Sequence, residues 1–262
     1  MQQLILDLGR PPEPSFDNFV PGANGAAVAS LRAIAAGQGE RAVHLWGEAG
    51  AGRSHLLRAL GAVPGARYVA CGDEPVPAVE PGNNTPTTVT AATTTTIWCI
   101  DNVERCTPDE QIALFNLINA TRALPRGAVV TSGDAPPLAI ALDPAREDLR
   151  TRLGWGPVFC LVPLTDAQKC AALEAHAAAR GLALTPEIGR YLLSHFARDL
   201  PSLLRLVERL DTFALQQHRQ VTLPLIRDFE RAVLAAEGQA AAAPAAAGAA
   251  QSSPSTPAAF HA

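Results

Sequence analysis

The stretch Ala42-Val-His-Leu-Trp-Gly-Glu-Ala-Gly-Ala-Gly-Arg-Ser-His-Leu-Leu57 decides the fold of this chain. A short apolar run ends at Trp46, a glycine-rich loop follows from Gly47 to Ser54, and leucines at helical spacing begin at Leu56. Glycines allow successive backbone N–H groups to turn toward one centre, and the following helix adds its N-terminal dipole. This strand–loop–helix order therefore predicts a phosphate-binding P-loop.

One residue of the loop departs from the usual P-loop pattern. Arg53 stands where the lysine is expected, and its planar fork is longer than a compact ammonium group. We therefore expect the loop to bind a diphosphate more readily than it positions a γ-phosphate, with Ser54 beside Mg²⁺. The predicted nucleotide-binding residues are Gly47, Gly50, Ala51, Gly52, Arg53, Ser54, His55 and Asp101, of which Ser54 and Asp101 are the predicted metal ligands.

A second motif, Ile97-Trp-Cys-Ile-Asp101-Asn102, ends an apolar run with an acid. This is the Walker B arrangement, in which Asp101 would hold Mg²⁺ through water. Hydrolysing enzymes of this type usually carry a second carboxylate next, but the amide of Asn102 cannot take a proton. Glu104 is left open as an alternative base. The two departures together predict little hydrolysis by this chain alone.

Apolar strands alternate with helices as far as Val162, and only helical patterns follow. This order predicts an α/β fold with a parallel sheet flanked by helices, followed by a small all-helical domain. The predicted helices of that domain are Asp166–Arg180, Pro186–Phe196, Leu200–Gln217 and Pro224–Glu237. The predicted plan is an N-terminal peptide (1–10), a nucleotide-binding domain (11–163), a helical domain (164–237) and a disordered low-complexity tail (238–262), with 72–96 as a Thr-rich loop or degraded helix.

Composition excludes several classes of protein. The chain has 262 residues, a net charge of −4 and no extended basic run, which argues against a dedicated nucleic-acid binder. Its five cysteines are dispersed, so we expect reduced, mostly buried thiols. The sequence has neither a signal-peptide pattern nor an apolar run of membrane-spanning length. We expect a soluble, cytoplasmic protein.

Two further segments allow alternative interpretations. Leu4, Leu6 and Leu8 alternate, which suits either an edge strand or a tethered docking peptide. Arg150 and Arg152 precede a Gly-Trp-Gly turn, and solvated basic residues at a helix C-terminus are the simpler interpretation.

The motifs in order resemble the DnaA-like AAA+ family and, within it, the Hda group of DnaA-homologous regulatory inactivators of replication initiation. The resemblance covers residues 3 to about 235. Its motifs are Phe16-Asp-Asn-Phe-Val-Pro-Gly-Ala-Asn24, Trp46–Ser54, Ile100-Asp-Asn-Val-Glu104, Thr131-Ser-Gly-Asp134 and Arg150-Thr-Arg-Leu-Gly-Trp-Gly156. The Gly-Arg-Ser loop and the Asp-Asn pair resemble the Hda group more than DnaA itself.

The resemblance implies a function in trans. Proteins of this group bind ADP (or ATP, with Mg²⁺) and dock on the DNA polymerase III β sliding clamp. They then present an arginine finger to ATP held by the initiator DnaA; by motif position this finger is Arg152. The implied clamp-binding residues are Gln3, Leu4, Leu6 and Leu8. The protein would reach the nucleoid through the clamp, without sequence-specific DNA binding and without a membrane.

The sequence departs from the family pattern at one position, and two alternative functions remain open. Pro201 stands where such proteins carry a sensor arginine, which again favours nucleotide as a structural or switching ligand. The rivals are an autonomous P-loop ATPase and a nucleotide-free scaffold that bridges clamp and initiator. Whether the chain forms a homo-oligomer is also left open.

Overall fold

The computed structural model describes residues 13–78, 97–196 and 199–242, and the side chains as far as residue 233. Its contacts divide the chain into two compact units, with the boundary between Ala172 and Leu173. The helices are α1 (Gly25–Ala35), α2 (Arg53–Gly61), α3 (Pro108–Ala123), α4 (Glu147–Leu153), α5 (Asp166–Ala179), α6 (Pro186–His195), α7 (Leu200–Gln216) and α8 (Leu223–Ala242), and the strands are β1 (Ala42–Gly47), β2 (Ala66–Ala70), β3 (Ile97–Asp101), β4 (Ala128–Gly133) and β5 (Val158–Leu161).

Within these residues the strands form one parallel sheet in the order β2-β3-β4-β1-β5. Strand β1 therefore lies between β4 and β5, with Trp46 opposite Gly133 on one side and Cys160 on the other. Ligands of open parallel sheets bind at the carboxyl ends of the strands. The loop that follows β1 and the acid that ends β3 both lie at that edge.

The sheet is buried on both faces, as a parallel sheet requires. Along β3, Ile97 and Cys99 join a core cluster with α1 and α2, whereas Trp98 and Ile100 join a cluster with α3 and α4. This alternation follows from the two-residue period of a strand. The predicted α/β class, a P-loop parallel sheet flanked by helices and followed by a helical region, is confirmed.

Helices α5 to α7 agree with the predicted bounds to within one residue, whereas α8 continues to Ala242, five residues into the segment predicted as a disordered tail (238–262). Helix α3 begins at Pro108, where a capping box joins Thr107 before it and Glu110 after it. The short helix α4 and a single 3-10 turn at Val103–Arg105 were not predicted. Both are too short to give a periodic apolar pattern.

Two cysteines correct the expectation of reduced thiols. Cys71 and Cys106 form a disulfide with their Cα atoms 5.0 Å apart, so that expectation is wrong for this pair. Cys71 directly follows β2, and Cys106 follows the 3-10 turn after the neighbouring strand β3. The 35-residue separation hides this proximity in the sequence. Cys99 is a buried thiol, and burial raises its pKa well above the usual range.

The second unit is built from the later part of α5 together with α6, α7 and α8. Asp199 caps α7, and Pro201 lies in its first turn, where the missing N–H costs no helical hydrogen bond. Buried residues of this unit are Leu173, Ala177, Ile188, Leu192, Leu203, Leu206, Val207, Leu210, Leu225, Ile226 and Phe229. The domain bounds drawn from the sequence stay predictions.

Several expectations fall on residues outside the described ranges: the N-terminal peptide 1–10, most of the Thr-rich segment 72–96, and the tail after residue 242. Among the described residues, no helix combines the length and the apolar character that a membrane span needs.

Candidate nucleotide site and the arginine beside Trp155

The glycines of the loop are required by backbone shape and by packing. Gly50 and Gly52 have φ of 82° and 96°, the left-handed region that side chains disfavour. A Cβ on Gly52 would come within 2.6 Å of the Phe19 ring, and one on Gly47 within 2.3 Å of the Leu161 carbonyl oxygen. The shape and packing of the loop therefore depend on these glycines.

Arg53 is the first residue of α2, and its Nη1 is buried. In the described part of the chain this nitrogen has no hydrogen-bond partner. A buried, unpaired guanidinium nitrogen is costly, and an anionic oxygen is the acceptor that would satisfy it best. Ser54 follows in the first helical turn, partly buried. The residues present thus fit the diphosphate of a nucleotide.

His55 attaches the preceding segment to α2. Its Nε2 lies 2.9 Å from the Ser15 carbonyl oxygen, and its ring centroid lies 5.3 Å from that of Phe19. Burial lowers the pKa of His55, so the neutral ring donates its Nε2 proton to that carbonyl. Because Phe19 also covers Gly52, the segment around Ser15–Phe19 packs over the loop. A direct contact of His55 or of Ala51 with nucleotide stays a prediction.

The Walker B acid Asp101 is fully buried and surrounded by protein donors. Its Oδ1 accepts hydrogen bonds from the Asn102 amide, at 3.1 Å, and from the Ser132 hydroxyl. Its Oδ2 accepts one from the Tyr68 hydroxyl at 2.8 Å. These contacts occupy three of the roughly four acceptor sites of the carboxylate, and the metal role of Asp101 stays a prediction.

Glu104, the alternative base, lies in the 3-10 turn beyond Asn102. Its Oε2 is buried and has no partner among the described residues. This oxygen lies 3.5 Å from the position that a Cβ on Gly133 would occupy, at the carboxyl end of β4. Asn102 itself is left-handed, with φ of 57°. Glu104 is therefore turned toward the sheet edge.

The two arginines of α4 have different environments. Arg150 bonds to the Glu147 carboxylate at 3.0 Å and to the Leu142 carbonyl oxygen at 3.2 Å. Arg152 has neither a carboxylate nor a carbonyl partner within the ranges that the structure describes. Arg150 thus stabilises its own chain, while the guanidinium of the partly buried Arg152 has no such acceptor in the described part of the chain.

Arg152 is instead held by aromatic rings. Its guanidinium carbon lies 3.5 Å from the Trp155 ring centroid and 5.4 Å from that of Phe115. Arg122 also lies over Trp155, at 4.2 Å. Trp155 keeps 37% of its surface exposed, so this cluster faces solvent.

Sequence reasoning missed Tyr68, Phe115 and Trp155. The first two reach their partners across the fold, so no local pattern could have revealed them. Trp155 follows Arg152 by three residues, a spacing that brings side chains together at a helix end. The predicted clamp-binding residues Gln3, Leu4, Leu6 and Leu8 lie outside the described residues.

The sheet order β2-β3-β4-β1-β5 and the glycine-rich loop after β1 define an α/β fold of the P-loop type. The fold is similar to domain III of the DnaA initiator from Thermotoga maritima, with a TM-score of 0.57 at 18% identity, covering 83% of this chain and 97% of that one. It is also similar to AMPPCP-bound DnaA from Aquifex aeolicus, with a TM-score of 0.56 at 18% identity, covering 75% of this chain and 65% of that one. A third similar structure is the RuvB Holliday junction branch migration motor of Thermotoga maritima, with a TM-score of 0.54 at 16% identity, covering 83% of this chain and 70% of that one.

The likeness to these solved structures establishes the fold, and this chain spans 65% of the length of the Aquifex DnaA chain. A more specific finding comes from the helical region. Residues 166–229 match the family described as Hda, lid domain. This match covers residues 166–229, about a quarter of the chain, and it agrees with the resemblance to the Hda group that the motifs indicate.

Proposed function

We propose that this chain is a negative regulator of chromosomal replication initiation. It binds ADP in the P-loop, docks on the DNA-loaded sliding clamp through Gln3–Leu8, and promotes hydrolysis of ATP bound to the initiator DnaA. The observation that carries this proposal is the contrast between Arg150, which is bonded to its own chain, and Arg152, whose guanidinium donors have no such partner among the described residues.

The chemistry of Arg152 suits an arginine finger. A guanidinium offers five N–H donors in one plane and keeps its charge at any physiological pH. Placed against the phosphates of a neighbouring ATP, it stabilises the negative charge of the transferring phosphoryl group. Its position at the end of α4, beside the partly exposed Trp155, leaves it accessible to a second protein.

The nucleotide of this chain acts as a structural ligand in the proposal. Arg53 supplies a buried, unpaired donor for a phosphate, and DnaA of the same fold has been solved with the ATP analogue AMPPCP. Ser54 would hold Mg²⁺ beside the phosphates, and the ion would neutralise part of their charge. Asn102 in place of a second carboxylate and Pro201 in place of a sensor arginine both argue for slow turnover in cis.

ADP is expected to raise the melting temperature of this protein by roughly 5–10 °C at a hundredfold excess over its Kd, because ligand binding then adds about 2.7 kcal/mol to the stability. Arg53→Ala should lose most of this shift, and Arg53→Lys should keep most of it. The exposed Arg126→Ala is the matched control. No shift in the unaltered protein would favour the nucleotide-free scaffold, and an undiminished shift in Arg53→Ala would remove Arg53 from the site.

The proposed function is tested by reconstitution. ATP prebound to DnaA should turn over at least about a thousandfold faster when this protein, the clamp and DNA are all present than when any one of them is omitted, because an arginine finger contributes roughly 10³–10⁵ in rate. Gln3→Ala combined with Leu6→Ala should abolish the stimulation that the clamp provides. The docking peptide would lose its polar anchor and one apolar anchor. Equal turnover with and without this protein contradicts the proposal.

A second candidate function rests on Glu104. Its buried, unpaired Oε2 could accept a proton from water at the sheet edge, which would make the chain an ATPase in its own right. Steady ATP turnover by the isolated protein that is lost in Glu104→Gln would favour this candidate over action in trans.

A further inference from the structure

We infer that Trp155 is a positioning residue for Arg152: its ring holds the guanidinium ready for the phosphates of the partner's ATP. This inference rests on the proposed function, and it adds to that function the element that orients the finger. Among the described residues, two aromatic rings contact the Arg152 guanidinium, and no carboxylate or carbonyl group accepts a hydrogen bond from it.

The first support is the geometry of the stack. A distance of 3.5 Å from the Arg152 guanidinium carbon to the Trp155 centroid is a contact of the ring face with the cation. Phe115, at 5.4 Å, adds a second ring from α3. Stacking occupies the faces of a guanidinium, whereas its N–H donors lie in its plane. The contact therefore orients Arg152 without using any of its donors.

The second support is the anchoring of the indole itself. The Trp155 amide donates to the Arg152 carbonyl oxygen at 3.2 Å, which ties the two residues into one turn. The next residue, Gly156, passes so close to β1 that a Cβ there would lie 1.8 Å from the Ala42 carbonyl oxygen. Since only glycine fits, the turn that carries Trp155 is fixed to the sheet.

The consequence is a preorganised finger. A free arginine side chain samples many rotamers, and fixing it in a transition state costs conformational freedom. A ring that limits these rotamers before the partner arrives lowers this cost at the chemical step. We therefore expect Trp155 to affect the maximal rate more than the affinity between the two proteins.

The experiment is the reconstituted turnover of DnaA-bound ATP, measured with clamp and DNA as this protein is titrated. Trp155→Ala is expected to lower the maximal stimulated rate about fivefold, with the half-saturating concentration unchanged within about twofold. Trp155→Phe should recover most of the rate because it keeps a ring face. Leu138→Ala, which alters a side chain with 84% of its surface exposed in the same unit, is the matched control.

A spectroscopic readout keeps the test independent of turnover. The ¹⁵N order parameter of the Arg152 Nε–H should fall in Trp155→Ala and be retained in Trp155→Phe. An unchanged rate and order parameter in Trp155→Ala, with activity lost in Arg152→Ala, would overturn the positioning role and leave the proposed function intact. Full activity in both Trp155→Ala and Arg152→Ala would instead overturn the proposed function.

Discussion

Replacing Arg152 with alanine is expected to reduce the stimulated hydrolysis of DnaA-bound ATP by at least about a thousandfold. Arginine fingers in other nucleotide hydrolases contribute roughly 10³–10⁵ in rate, because the guanidinium stabilises the phosphoryl charge more strongly in the transition state than in the ground state. Binding to the clamp and to ADP should not change, since Arg152 lies in neither predicted contact. The measurement is single-turnover release of labelled phosphate from DnaA in the presence of clamp and DNA.

Controls on neighbouring arginines make this test specific. Arg150→Ala should reduce folding stability, because Arg150 bonds to Glu147 and to the Leu142 carbonyl within its own chain. Arg126→Ala removes an exposed charge and should leave the rate unchanged. Arg152→Lys keeps the charge but not the planar fork, so we expect only a small part of the rate to return. Undiminished stimulation by Arg152→Ala would remove the finger from the proposed function.

The loop and the sheet could be predicted from the sequence because their determinants are local. Gly50 and Gly52 sit between an apolar run and a helical pattern, and the left-handed φ of both glycines is what that pattern indicates. The burial of β3 on both faces is likewise visible in Ile97–Ile100, a continuous apolar run that the structure divides between the two core clusters. The class of fold follows from such short-range patterns.

The contacts that decide the site could not be predicted in the same way. Tyr68 reaches Asp101 across 33 positions, and only the register of β2 against β3 brings them together. The disulfide between Cys71 and Cys106 depends on the same pair of strands. Phe115 meets Arg152 because α3 and α4 pack on one face of the sheet. Each of these depends on pairing between elements, which a single sequence does not encode locally.

Asp101→Ala is expected to destabilise the protein by about 3–5 kcal/mol. The substitution would leave the Tyr68 hydroxyl, the Ser132 hydroxyl and the Asn102 amide without their acceptor. Buried donors without partners cost about 1–3 kcal/mol each, less any relaxation around them. Burial and the neighbouring Asp101 raise the pKa of Tyr68 to about 12, so its hydroxyl remains a donor at neutral pH. Urea unfolding of the two proteins measures the difference.

The size of this effect decides how a loss of function at Asp101 is interpreted. Asp101→Asn keeps one acceptor oxygen, so we expect it to cost about 1–2 kcal/mol, while Asp134→Ala at an exposed acid nearby should cost under about 0.5 kcal/mol. If Asp101→Ala keeps its stability and loses only the Mg²⁺-dependent part of ADP affinity, Asp101 is a metal ligand. The other outcome is that stability falls as expected and Asp101→Asn binds ADP normally with Mg²⁺. In that case Asp101 fixes the ends of β2, β3 and β4 beneath the nucleotide. The P-loop with Arg53 then holds the phosphates without a contribution from Asp101.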